Sequence, residues 1–115
     1  AIIDALLGAG GLGDIGIHFP STDPQYQGIA SIVLLTRTTE LLDGRWRVAN
    51  VDATIIAERP ALKRYMVRMK QTLADSLDLE TDQVNVKATT TDGLGFVGRG
   101  EGISSVAIAT LEEKE

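Results

Sequence analysis

Apolar residues recur at steps of three and four along Leu62, Tyr65, Met66, Met69, Leu73 and Leu77. That stripe predicts an amphipathic helix whose apolar side is core, with Pro60 in its first turn. Ile2, Ile3, Leu6 and Leu7 repeat the spacing over a shorter stretch, ended by Gly8 and the Gly10-Gly11 pair. A helix of about eight residues is marginal by itself. No residue of the capping type precedes it, so the chain reads as cut within a helix, with further residues expected upstream. From Ile29 to Asp43, the apolar Ile32, Leu35 and Leu42 share a helical face, and Asp43-Gly44 supplies a stop. The β-branched content there also suits a strand; helix is the preferred assignment.

Two-residue alternation takes over elsewhere. Trp46 and Val48 are apolar at even positions, while Val51, Ala53, Ile55 and Ala57 are apolar at odd ones. One extra residue near Ala49-Asn50, a β-bulge, restores a single buried face. Val84, Val86 and Ala88 alternate with Asn85, Lys87 and Thr89, a strand that delivers three threonines to its own end. Ile103 to Leu111 is β-branched and apolar and predicts a last strand. The order is helix, helix, strand, helix, strand, strand, without internal repeat or linker.

Two connections carry candidate chemistry. Gly10 to Tyr26 is a loop of 17 residues rich in Gly, Pro, Ser and Asp, and loops that long in a compact domain are usually functional or disordered. Asp14 beside its glycines suits an Asx-turn. His18 is the lone histidine; with no cysteine to join it, it makes no zinc site and reads as a surface residue. The second connection is Lys87 to Gly102. Thr89, Thr90 and Thr91 bring hydroxyls, and Gly93, Gly95, Gly98, Gly100 and Gly102 let backbone approach a ligand closely. Lys87 and Arg99 add positive charge, and Asp92 is a candidate ligand for a divalent cation. Together these suit an anion, above all a phosphate. A plain glycine-rich connection between two strands has the same composition. Gly93 to Gly98 also matches the dinucleotide fingerprint G-x-G-x-x-G, which works only between a strand and a helix in a unit of about 30 residues. Only 17 residues follow Gly98, and they read as strand, so that reading fails.

With 115 residues and 43% hydrophobic content, the chain is one domain able to build a core. Its net charge of −5 argues against a nucleic-acid surface. Glu112, Glu113 and Glu115 contribute to it as a solvated tail. Phosphate binding stays open to an acidic chain whose few cations converge. No apolar run approaches about 18 residues, so no membrane span is predicted. The lack of cysteine excludes disulfides and fits a reducing, cytoplasmic setting. No Ser-His-Asp arrangement stands out.

Several runs together resemble one family: Asp4 to Ala9, Leu12 to Gly16, Phe19 to Pro24, Asn50 to Ala57, Val84 to Thr91 and Leu94 to Gly102. In order and over nearly the whole chain, they are similar to the 2-C-methyl-D-erythritol 2,4-cyclodiphosphate synthase family of the non-mevalonate isoprenoid pathway. The resemblance implies a phosphorus–oxygen lyase. The 2-phosphate of 4-diphosphocytidyl-2-C-methyl-D-erythritol 2-phosphate attacks the β-phosphorus of the same molecule, and CMP leaves. Positioning and charge neutralisation carry such a transfer. The family uses Zn2+ on the attacking phosphate and Mg2+ or Mn2+ on the diphosphate.

Carried onto this sequence, Asp14, Ile15 and Gly16 match the contact to the methylerythritol portion, and Phe19, Pro20, Ser21, Thr22 and Asp23 match the adjoining flexible loop. Ala57, Glu58, Arg59, Pro60, Ala61, Leu62 and Lys63 match the turn around the cytosine. Thr89, Thr90, Thr91 and Asp92 match the phosphate cradle, with Thr90 at the position that stabilises the transition state. Phe96 and Arg99 match positions along the threefold axis of a homotrimer. Two departures stand out: Asp92 replaces a common Glu, and Ala61 a common Lys for which Lys63 or Arg64 is the candidate substitute. The family's zinc ligands, an Asp-x-His and a later His, are expected upstream of Ala1. The fold implied is an α+β two-layer sandwich, helices on one face of a mixed β-sheet, forming a homotrimer with each active site between adjacent subunits. Residues 1–115 then make a single domain lacking its N-terminal strands and the start of its first helix. The alternatives are a non-catalytic module binding cytidine phosphates or isoprenoid diphosphates, and a domain fused behind a cytidylyltransferase. No nucleic-acid or membrane partner is expected.

Overall fold

The computed structural model describes residues 1–115. Its helices are α1 (Ile2–Ala9), α2 (Ile15–His18), α3 (Ser31–Leu42), α4 (Met66–Leu77) and α5 (Gly95–Gly98), and its strands are β1 (Trp46–Ile56), β2 (Val84–Thr89) and β3 (Ser104–Glu113). The sheet runs β2-β1-β3, with β1 parallel to β2 and antiparallel to β3, so it is mixed. α1 packs on β3, α4 on β2, and α3 between the two helices. The shortest dimension of the molecule is 21 Å, about one helix layer plus one sheet layer at ~10 Å each. An α+β architecture with helices on one face of a mixed sheet follows.

The core sits where α1 and α3 meet β1. Leu6, Leu7 and Val51 are fully buried, with Leu35, Leu42, Val48 and Leu77 around them. Each such aliphatic side chain contributes about 1.5–3 kcal/mol by leaving water. Thr38, also fully buried, donates its hydroxyl to the Leu34 carbonyl at 2.8 Å, so no polar group is orphaned there. α1 has no side-chain cap at Ala1, as expected. Its stability comes from this packing.

The bulge in β1 falls at the anticipated place. Pairing with β3 slips between Val48 and Asn50, and Val48, Val51 and Ala53 all turn inward. The Gln83 amide donates to the Ala49 carbonyl at 3.0 Å and the Asn50 amide to the Gln83 carbonyl at 3.0 Å, which pins the irregularity to the start of β2.

Four expectations need correction. Pro60 does not start a helix. It lies in a bend, and five residues, Ala61 to Tyr65, separate it from the start of α4 at Met66, the last three of them a 3-10 turn. The α4 stripe is only partly core: Ala74 and Leu77 are buried, Met66, Met69 and Leu73 half-buried, and Tyr65 39% exposed. Glu112 and Glu113 are not tail but the end of β3, ion-paired to Arg47 and Arg45. His18 is not simply at the surface; it is half-buried, with Nε2 2.6 Å from the Leu12 carbonyl.

Candidate functional site

Because β1 and β2 are parallel, their carboxyl ends emerge side by side: Ile56 pairs with Thr89, and the Ala57 N–H donates to the Thr89 carbonyl at 3.0 Å. The outer ends of parallel strands are where α/β sheets take ligands, since the connections there diverge. A cavity of about 450 Å³ opens at this edge, within the range of small-molecule sites. Ala57, Glu58, Pro60, Ala61, Leu62 and Lys63 line one side and Thr89 and Thr90 the other, with Met66, Val86 and Ala88 as its apolar floor. The turn carried over from the family resemblance and the threonine turn singled out by its own composition thus meet in one pocket. The floor residues were read only as core, and alternation along β2 and the α4 stripe was the signal that pointed to them.

The three threonines are not equivalent. Thr91 donates to the Leu94 carbonyl at 2.7 Å and is committed to closing the turn. Thr90 Oγ1 accepts from the Asp92 N–H at 3.2 Å and lies 3.4 Å from the Asp92 carboxylate, a contact at the weak limit that leaves its proton free to turn to a ligand oxygen. Thr89 makes only a 3.4 Å contact to the Thr90 carbonyl. Asp92 adopts φ 55°, a left-handed conformation that Asp tolerates. Glu58 reaches across the pocket mouth to accept from the Gly93 N–H, tying the 57–63 turn to the threonine turn. Gly98 is required by contact: a Cβ there would lie 2.2 Å from the Gly93 carbonyl carbon, so α5 presses directly on that turn.

The cations assigned to this region are already paired. Lys87 Nζ lies 3.0 Å from Asp52 on the sheet face away from the helices, and Arg99 forms a two-point contact with Glu101 at 3.0 and 3.1 Å. Phe96 is 54% exposed beside Gly102 and does not line the cavity.

The 14–23 loop lies elsewhere. The end of α1 approaches Leu42 and Trp46, at the opposite end of β1 from Thr89. Asp14 caps α2 by accepting from the Ile17 N–H at 3.0 Å, and Asp4 of α1 holds the same segment by accepting from the Ile15 N–H at 2.9 Å. Phe19 is buried and meets Tyr26 edge-on at 5.5 Å. Ser21, Thr22 and Asp23 form the turn that follows Pro20; Asp23 accepts from the side-chain and backbone N–H groups of Gln25. Those two bonds hold the Asp23 carboxyl below the ordinary aspartate range. Asp4 was missed because an acid in the first turn of a helix reads as a dipole effect. Only the fold brings it to Ile15.

No three His, Cys, Asp or Glu side chains converge on a point where a metal ion would be held. No helix is long and apolar enough to cross a membrane.

A model of the YgbB family matches residues 1–112. The chain belongs to that family. Among its YgbB relatives, the 2-C-methyl-D-erythritol 2,4-cyclodiphosphate synthase of Lachnospira eligens is 54% identical over 112 residues, covering 96% of this chain and 61% of that protein. The protein of the same name from Thiobacillus denitrificans is 56% identical over 113 residues, 97% of this chain and 71% of that one. This chain therefore spans between 61% and 72% of the curated relatives it matches. Among solved structures, the bifunctional IspDF of Campylobacter jejuni superposes with a TM-score of 0.94 at 37% identity, over 99% of this chain and 31% of that one. The Plasmodium falciparum IspF in complex with CDP superposes with a TM-score of 0.86 at 28% identity, over 100% of this chain and 69% of that one.

Proposed function

We propose that this YgbB chain carries the substrate pocket of a 2-C-methyl-D-erythritol 2,4-cyclodiphosphate synthase, which converts 4-diphosphocytidyl-2-C-methyl-D-erythritol 2-phosphate to the cyclic diphosphate and CMP. The observation that carries it is the joining of the 57–63 turn with Thr89 and Thr90 around one cavity at the ends of two parallel strands. The existence of a CDP complex in a structural neighbour supports a cytidine diphosphate as the recognised group.

In this reading the 57–63 turn wraps the pyrimidine with backbone groups, over the floor of Met66, Val86 and Ala88. The Thr89 and Thr90 hydroxyls face the diphosphate. An oxygen of the 2-phosphate attacks the β-phosphorus, the bond from that phosphorus to the bridging oxygen breaks, and CMP leaves with the electron pair. Thr90 donates to the oxygens that gain charge, and such a donor is worth about 10²–10³ in rate. Asp92 with the Thr90 hydroxyl fits Mg2+ or Mn2+, which bind through one or two carboxylates plus substrate phosphates; such an ion supplies charge neutralisation at the diphosphate. Zinc does not fit these residues. His18 is occupied by the Leu12 carbonyl and no cluster surrounds it.

A homotrimer completes the proposal. Val106 is 57% and Ile108 68% exposed on the sheet face that no helix covers, and exposed apolar patches of that kind are interaction surfaces. Asp14 and Thr90, at opposite ends of β1, then serve one site from different chains. The 0.94 superposition on a bifunctional protein supports the same domain functioning as part of a longer chain. The test is CMP release from the cytidylyl substrate by the full-length protein with Zn2+ and Mg2+ present. CDP binding without CMP release would refute the enzyme and leave a binding module.

A further inference from the structure

The charges of this chain are unevenly placed. Arg59, Lys63, Arg64, Arg68 and Lys70 fall within 12 residues, and no acid occurs between Glu58 and Asp75. None of these five is ion-paired, whereas Arg45, Arg47, Lys87, Arg99 and Lys114 all are. An acidic protein thus carries one run of unpaired cations; Lys63 of that run lines the pocket, and Arg68 lines the neighbouring hollow that shares Val86 with it. Lys63 lines the pocket itself and, with Pro60 and Ala61, continues into a hollow of about 750 Å³ closed by Arg64 and Tyr65. The Arg64 guanidinium lies 4.8 Å from the centre of the Tyr65 ring, and Nη2 donates to the Tyr65 hydroxyl at 2.6 Å, so this charge is held in place. The cations nearest the threonine turn in sequence, Lys87 and Arg99, are neutralised by their own acids. The free positive charge beside the pocket therefore comes from this run.

We propose that the segment from Arg59 to Lys70 is an electrostatic funnel, which captures multiply charged phosphate esters and delivers them to the pocket below Thr89 and Thr90. It rests on the reading of that pocket given above. Clustered charges of one sign raise association rates by about 10- to 1000-fold, and the effect is lost as salt shortens the Debye length from about 30 Å at 0.01 M to about 3 Å at 1 M.

The experiment is stopped-flow association of CDP with the full-length protein, wild type against Arg68→Gln/Lys70→Gln, at low and high salt. Neither side chain lines the pocket. The double variant is expected to lower the association rate of CDP about three- to tenfold at low salt, with dissociation unchanged. The difference should vanish at high salt, and uncharged cytidine should bind both proteins alike. Equal association rates at low salt, with CDP still bound, would overturn the funnel and leave the pocket intact. A loss that persists at high salt would show a packing role and overturn it too. If wild-type protein fails to bind CDP at all, the pocket assignment falls first and the funnel with it.

Discussion

Gly8 and Gly98 give a prediction with opposite signs. Gly8 lies inside α1, exposed, and a Cβ added there meets nothing within 4 Å. Alanine there removes backbone freedom from the unfolded chain and should stabilise by about 0.5–1 kcal/mol. At Gly98 the added Cβ would lie 2.2, 2.6 and 2.8 Å from the C, O and Cα atoms of Gly93. These are backbone atoms of the threonine turn, with no flexible side chain to give way, so relief requires α5 to move off the turn. Overpacking of this kind costs about 1–3 kcal/mol. With an unfolding entropy of about 2.1 cal/mol/K per residue, 115 residues give about 0.24 kcal/mol/K, so 1 kcal/mol moves Tm by about 4 °C. Thermal unfolding at one fixed protein concentration should show Gly8→Ala up by about 2–4 °C and Gly98→Ala down by about 4–12 °C. Gly98→Ala should also weaken CDP binding, since Gly93 and Glu58 hold the pocket mouth together. Shifts in the same direction for both variants, or an unmoved Gly98→Ala, would refute the close approach.

Two further predictions concern the 14–23 loop. Asp4→Ala should speed hydrogen exchange at the Ile15 amide about fivefold, for a bond worth about 1 kcal/mol, while Asp4→Asn, which keeps an acceptor oxygen, should restore most of the protection; equal exchange in both variants would mean the bond is idle. Asp23, its carboxyl lowered first by the Gln25 side chain and then by the Gln25 N–H, contributes a cap that is present above its unfolded value and lost as pH falls through the folded one. In an NMR titration the Gln25 amide should therefore stay put until the pH is below about 3.9, the ordinary aspartate value; a midpoint at or above it would sink the assignment.

The elements themselves were legible because their periodicities are undisturbed. The alternation in Val84 to Thr89 and the phase slip at Ala49-Asn50 each mapped onto the observed strand, bulge included. The threonine turn stood out by its own composition, whereas the 57–63 turn came only from the family resemblance; the parallel strands bring the two to one cavity. What failed depended on contacts distant in sequence. Most of the α4 stripe is only half-buried because α4 packs chiefly on the short β2, which no spacing rule reveals. Lys87 looked like a free cation until the fold set Asp52 against it; the partner of Arg99, Glu101, stands only two residues away and was legible in the sequence. One-turn helices at Ile15–His18 and Gly95–Gly98 are too short for any period to register.

Burial argues for assembly. Only 15 of 115 residues are buried, and the radius of gyration is 15.0 Å, where a compact domain of this length has about 13 Å. The excess reflects a thin, flat molecule whose sheet leaves Val106 and Ile108 bare. The proposed trimer covers that face and brings Asp14 of one chain to Thr90 of the next. If each site needs one residue from each of two neighbours, co-expressed Asp14→Ala and Thr90→Val chains complement one another. In a ring mixed at random, a site is intact when the chain lending Asp14 carries the Thr90 change and its neighbour the Asp14 change, which has a probability of about one quarter. CMP release from the mixture should then reach about a quarter of wild type, while each variant alone stays well below that, Thr90→Val at about 10⁻² or below. Activity of the mixture equal to the mean of the two separate variants would place Asp14 and Thr90 of a single chain in one site, against the distance between them along β1.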